Sequence, residues 1–171
     1  MNLLSSIQLV DEKLFTRLFH GKRKLKKVAV QISRSGDGLL YLILPSLYWL
    51  INPVHGRTFF TLAGIAFFLE RCIYYVLKKN LKRRRPPAAI PGFRSLVIPS
   101  DEFSFPSGHT SGAFLFTTLC VVWFGVVALP LYLWASMVGL SRVLLGVHFP
   151  GDILAGAAIG TAVGYTAFVF L

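Results

Sequence analysis

A chain of 171 residues is long enough for one domain. With 54% hydrophobic residues and a mean hydropathy of +0.63 it carries more apolar surface than a soluble domain of this size can bury, which points to the membrane class. Its 18 Lys+Arg outnumber 7 Asp+Glu for a net charge of +11; these bases fall in short blocks between apolar segments, which argues against nucleic acid as a partner and for anionic headgroups or an anionic substrate.

Residues 1–35 come first. Leu3, Leu4, Ile7, Val10, Leu14, Phe15, Leu18 and Phe19 recur at helical spacing, accompanied by Lys13, Arg17, Lys22, Arg23, Lys24, Lys26 and Lys27. The pattern predicts an amphipathic helix lying on the membrane surface with its bases toward lipid phosphates; a solvated helix is the plainer alternative. No basic stretch precedes the first apolar residues, so no cleaved signal peptide is expected and the apolar helices themselves direct insertion. Two apolar segments follow. Leu39 to Ile51 is expected to be broken by Asn52-Pro53 and Gly56, and Thr58 to Leu77 is of spanning length at ~20 residues. The second carries Glu70 and Arg71, which are costly in lipid and are expected to be structural, with Glu70, Tyr74 and Lys78 on one helical face. Cys72 and Cys120 lie in apolar stretches and read as core thiols.

A basic, proline-rich loop runs from Lys78 to Glu102. From Phe103 to Ser141, 39 residues pass without a single Asp, Glu, Lys or Arg. One helix of that length would measure roughly 58 Å, against a hydrocarbon core about 30 Å thick. The run must fold back, and Gly125 to Pro130 is the natural bend. Ile153 to Leu171 completes the set. The prediction is an all-α membrane protein of about five transmembrane helices plus an N-terminal amphipathic surface helix. It forms a single membrane-embedded domain over residues 1–171, with 1–35 the surface segment and 36–171 the helical bundle. Counted through, these crossings bring the end of the second, the start of the third, the end of the fourth and the start of the fifth to the same face.

Those four places carry the polar motifs: Lys78-x6-Arg85-Pro86, Pro106-Ser107-Gly108-His109, and Ser141-Arg142-x5-His148-x3-Asp152. Phosphoryl transfer needs charge neutralisation, positioning and proton handling. Lys78, Arg85 and Arg142 supply cations, and arginine's planar fork suits phosphate oxygens. Ser107 fits the N-cap of the third crossing, and Gly108 lets backbone approach a ligand; helix N–H groups there favour an anion. His109, in that first turn, is within reach of a leaving oxygen. His148 and Asp152 stand four apart with Pro150 suited to an early helical position, so the carboxylate is placed to hold one imidazole nitrogen and leave the other as a nucleophile.

Together the three motifs, complete and in order over residues 78–152, resemble the signature of the type 2 phosphatidic acid phosphatase family, which also includes the vanadium-dependent haloperoxidases. The resemblance implies a metal-independent lipid phosphatase without cofactor. His148 would form a phosphohistidine, and His109 would act as acid and then as base on water. It implies a lipid phosphate substrate held among membrane lipids, with the active site on the periplasmic face of a bacterial inner membrane. Lipid A 1-phosphate is the preferred substrate, ahead of phosphatidylglycerol phosphate and undecaprenyl diphosphate; a lipid phosphotransferase is a further alternative. The haloperoxidase branch is soluble and this chain is not. Outside enzymes, the alternative is an anionic-lipid-binding membrane protein.

Taken singly, each motif has a duller reading. Lys78–Pro87 would serve as a basic membrane anchor, Arg142 as a snorkelling residue, and His148 and Asp152 as a structural pair or metal ligands. A metal lacks a third convincing ligand beyond His109, and the surrounding cations would repel it. Asp101 and Glu102 are placed to tune access or to pair with loop arginines, and Ser33–Gly38 to touch the headgroup. The positive-inside rule runs against the implied orientation, because segments 1–35 and 78–105 hold 8 and 7 of the 18 Lys+Arg on the active-site face.

Overall fold

The computed structural model describes residues 3–19, 25–99 and 101–170. His20, Lys22, Arg23 and Lys24 fall outside it, as do the side chains of Leu3, Leu4, Ile7 and Lys26. The helices are α1 (Leu3–Phe19), α2 (Lys26–Ser35), α3 (Leu39–Ile51), α4 (Pro53–Leu81), α5 (Pro86–Ala89), α6 (Gly108–Phe124), α7 (Leu131–Leu144) and α8 (Pro150–Phe170). Among the described residues the only β-type pairing is an isolated antiparallel bridge between Arg84 and Phe103.

Among the described residues, three helical stretches are long and apolar enough to cross a bilayer: α4, α6 with the 3-10 turn that follows it, and α8. The apolar helices α3 and α7, of 13 and 14 residues, complete the bundle. Large apolar side chains remain outward-facing, among them Leu50, Ile51 and Phe170 at about four-fifths exposure, as lipid contact requires. The chain is an integral membrane protein. Cys120 is a core thiol as expected, whereas Cys72 lies on the outward face of α4, because an apolar stretch in a membrane helix turns one side to lipid.

Helix α4 is longer than its apolar pattern suggests. α3 ends at Ile51, at the break expected at Asn52-Pro53, and Pro53 then begins α4, because the first helical position needs no N–H donor. Asn52 alone separates α3 from α4, and its side-chain oxygen accepts from the His55 amide at 3.3 Å. Gly56 is no breaker: a Cβ there would lie 2.3 Å from the Trp49 backbone, so glycine lets the two helices meet at their corner. The far end stops at Lys82, whose left-handed conformation (φ 44°) turns the chain into an extended stretch. The charge-free run folds back where expected, through the 3-10 turn Gly125–Ala128, with Gly125 at φ 78° and Pro130 leading into α7.

The central contact is α6 against α8. Gly156, Gly160 and Gly164 form a stripe at four-residue spacing down α8, and α6 lies directly upon it. A Cβ at Gly160 would sit 2.2 Å from the Ser111 carbonyl oxygen and 2.8 Å from the Leu115 nitrogen, both backbone atoms of α6. Small residues at this period let helix backbones approach in a bilayer, where packing replaces the hydrophobic drive. The amide of Ser107 donates to the Asp152 carbonyl at 3.1 Å, so the two helix starts are tied as well.

Within residues 1–35 the described residues form two helices, α1 and α2, each burying a face on the bundle. Phe15 is almost wholly buried against Phe19, Phe93 and Phe149, and α2 packs along α7 through Ala29, Ile32 and Ser33. Replacing Gly160 by valine must push α6 and α8 apart, an overpacking cost of about 1–3 kcal/mol. Thermal unfolding in detergent is expected to show a clear drop for Gly160→Val and little change for Ala158→Val on the exposed face of the same helix. Equal effects would refute the close-contact role.

Candidate functional site

The extended stretch after α4 arranges its bases by the period of two. Bridging at Arg84 pins it to Phe103, and the Ser104 amide donates to the Arg83 carbonyl at 2.8 Å. Arg83 and Arg85 therefore turn inward and Arg84 outward. Arg85 is buried: its Nη1 donates to the Val147 carbonyl at 2.6 Å and lies 3.3 Å from Nε2 of His148.

On α4, Glu70, Tyr74 and Lys78 share a buried face. Glu70 does not reach up to Lys78. It is held by Arg71 (2.6 and 2.8 Å) and by the Ser111 hydroxyl, which satisfies its charge within the bundle. Tyr74 stands between, hydrogen-bonded to Lys78 above. Lys78 then donates to Asp101 at 2.6 Å, Tyr74 donates to the same oxygen at 2.8 Å, and Arg85 pairs with the other carboxylate oxygen. Burial pushes the Asp101 carboxyl up, but the bonds from Lys78, Arg85 and Tyr74 outweigh it and hold it well below the usual carboxylate range. The expectation that Asp101 pairs with a loop arginine is met, and Lys78 joins them.

His148 lies in the turn between α7 and α8, only 2% exposed. Its Nδ1 makes no hydrogen bond among the described residues and stands 3.5 Å from Oδ2 of Asp152. The hydrogen bonds of that carboxylate run elsewhere: Oδ2 accepts from the Phe149 amide at 2.8 Å and Oδ1 from Nη1 of Arg83 at 2.8 Å. Arg85 can only donate, so Nε2 accepts and the imidazole proton belongs on Nδ1, facing Asp152. Burial pushes the His148 pKa down to about 4; Asp152 opposes this and the Arg85 charge adds to it. The ring is neutral near pH 7, with a lone pair on Nε2.

Arg142, at the end of α7, donates to the Ser33 hydroxyl at 2.6 Å, while its buried Nε has no partner among the described residues. His109 occupies the first turn of α6 with Nε2 2.7 Å from Asp37. Ser107 takes the N-cap position, but its hydroxyl accepts from Thr110 at 2.9 Å instead of capping the helix. At Gly108 a Cβ would come within 3.0 Å of the Tyr74 ring.

A cavity of about 500 Å³ joins these groups. Arg85, His109, Arg142, His148 and Gly108 line its polar end, with Asp37 and Asp101 at its margin; Leu42, Pro45, Phe60 and Phe67 of α3 and α4 line the apolar end. Lys78, Ser107 and Asp152 stand buried behind this wall. Among the described residues no three His, Cys, Asp or Glu side chains gather as a metal ion would require.

Sequence reasoning passed over three contributors. Arg83 was hidden inside a basic run, although its i, i+2 relation to Arg85 in an extended stretch was a usable signal. Asp11 is a buried acid one helical turn before Phe15. The four-residue glycine period of α8 was also there to be read.

The PAP2 superfamily matches residues 58–171. Over 136 residues the chain is 31% identical to the decaprenylphosphoryl-5-phosphoribose phosphatase of Mycobacterium tuberculosis, covering 78% of this chain and 73% of that one. The fold superposes on LpxE of Aquifex aeolicus with a TM-score of 0.80 at 26% identity, covering 92% of this chain and 94% of that one. A PAP2-type phosphatidylglycerolphosphate phosphatase from Bacillus subtilis gives 0.79 at 27% identity, covering 96% and 86%. By sequence and by fold, the chain belongs to the PAP2 superfamily, among its membrane lipid phosphatases.

Proposed function

We propose that the chain hydrolyses a lipid phosphate through a covalent intermediate on His148. The observation that carries this reading is the convergence of three groups on one cavity: the His148 imidazole with Nε2 3.3 Å from Arg85, Arg85 itself, and Arg142, whose buried Nε has no hydrogen bond among the described residues. Nε2 attacks phosphorus, the P–N bond forms and the bond to the lipid oxygen breaks. His109 gives its proton to that oxygen. In the second step His109 takes a proton from water, the water oxygen attacks phosphorus, and inorganic phosphate leaves with His148 restored.

Arg85 and Arg142, which line the cavity, neutralise the phosphate oxygens, with the charge of Lys78 behind them, and the start of α6 at Gly108 favours the same anion. Asp101 already draws Lys78 and Arg85 to one point, so phosphate replaces one anion by another there. Asp152 orients the nucleophile. The apolar end of the cavity, between α3 and α4, suits the lipid chain.

Among substrates we favour lipid A 1-phosphate, whose multiply anionic headgroup suits a strongly basic face. Phosphatidylglycerol phosphate and undecaprenyl diphosphate are the alternatives, and transfer to a second lipid is the alternative to hydrolysis. The test is phosphate release from a purified panel of these lipids. Release with a single lipid and in EDTA is expected, with loss of about three orders of magnitude or more in His148→Ala. Full activity in that variant would overturn the nucleophile, and loss in EDTA the metal-free reaction.

We place the active-site face in the periplasm of a bacterial inner membrane. Of the cations in residues 78–85, Lys78, Arg83 and Arg85 are engaged by Asp101 and Asp152, so this part of the basic count reflects the site as well as insertion. Ile98, 95% exposed in the loop over this face, provides the probe. An Ile98→Cys variant lacking Cys72 is expected to react with an impermeant thiol reagent from the periplasmic side; reaction only from the cytoplasm would reverse the orientation.

A further inference from the structure

We propose that Arg83 is a positioning residue for the reaction and that α1 supplies half of its socket. This rests on the reading of His148 as nucleophile. The guanidinium of Arg83 is shared between two buried carboxylates. Nη1 donates to Asp152 at 2.8 Å, and Nη2 donates to Asp11 at 2.6 Å. Gln8 accepts from Nε at 3.1 Å and from Nη2 at 2.7 Å, and the group lies over the Phe149 ring, 4.5 Å from its centroid. Every face of the fork is thus fixed, two of its sides by α1.

The same α1 carboxylate holds the start of α8. The other oxygen of Asp11 accepts from the Gly151 amide at 2.8 Å. Asp11 therefore grips both the arginine that binds Asp152 and the backbone residue that precedes Asp152. Arg83 on Oδ1 and the Phe149 amide on Oδ2 set the plane of the Asp152 carboxylate, and this plane leaves Oδ2 facing Nδ1 of His148 at 3.5 Å. Arg83 does not line the cavity, so it acts on the substrate only through Asp152 and His148. Arginine is required because a lysine ammonium carries the charge without the planar fork that spans Asp152, Asp11 and Gln8.

The experiment compares Arg83→Ala, Arg83→Lys, Asp11→Asn and Arg84→Ala in the full-length protein, with His148→Ala alongside. Steady-state rates on a lipid phosphate are expected to show kcat reduced about 10- to 100-fold in Arg83→Ala with KM little changed, as losses of orienting partners behave elsewhere. Arg83→Lys should recover some of the loss, and guanidinium ion added to Arg83→Ala should restore rate in a saturable way, which a residue that only supports the fold would not allow. Arg84→Ala, exposed on the opposite side, should match the wild type. If Arg83→Ala does not fold, Asp11→Asn decides: a lowered kcat at constant KM supports the socket, and wild-type kcat overturns it. Wild-type kcat in a folded Arg83→Ala, a change confined to KM, or no guanidinium rescue would equally overturn the proposal. Loss of activity in His148→Ala together with wild-type behaviour of Arg83→Ala would reject the positioning role alone; activity in His148→Ala would reject the underlying mechanism.

Discussion

The close approach of α6 to α8 is the constraint on which the site depends. Bare glycine faces on α8 let the two backbones touch, and the Ser107 amide then bonds the Asp152 carbonyl. That bond sets the start of one helix against the start of the other. His109 rides on the first and the His148–Asp152 turn leads into the second, so one packing contact fixes both in register. A side chain on the stripe would not merely loosen a helix pair; it would move the two histidines relative to each other.

Electrostatics fills in what packing frames. A cluster of cations at the end of a membrane bundle is unfavourable unless each finds an anion or another hydrogen-bond acceptor. Asp101 gathers Lys78 and Arg85, Asp152 and Asp11 gather Arg83, Glu70 takes Arg71, and Asp37 stands by His109. Among the described residues two buried side-chain nitrogens are left without a hydrogen bond, Nε of Arg142 and Nδ1 of His148. Arg142 lines the cavity and Nδ1 of His148 faces the Asp152 carboxylate, so both of these nitrogens belong to residues of the cavity wall.

The crossings and the motif residues were legible because they follow from coarse rules. A charge-free run too long for one crossing must bend, and Gly125–Pro130 offers the bend; motifs placed at helix ends then converge by counting. The details that escaped are tertiary. Pro53 extends a helix because of where it falls, and Gly56 serves a corner that only packing reveals. Arg83 is indistinguishable from its basic neighbours until the bridge at Arg84 sets its direction. The N-terminal pattern predicted one amphipathic helix, and the described residues there form α1 and α2, each packed on the bundle. Its apolar positions alone could not show that Asp11 is an inward-facing acid bound to Arg83 and to the Gly151 amide.

The central claim is that His148 carries the phosphoryl group. Rapid quenching of the protein with a lipid bearing ³²P-labelled phosphate, followed by peptide mapping in alkali, tests it directly. The account predicts an acid-labile, base-stable label on the peptide containing His148, formed and lost within a turnover and absent from His148→Ala. Full hydrolysis with no protein-bound label on that peptide, or label on another residue, would contradict it.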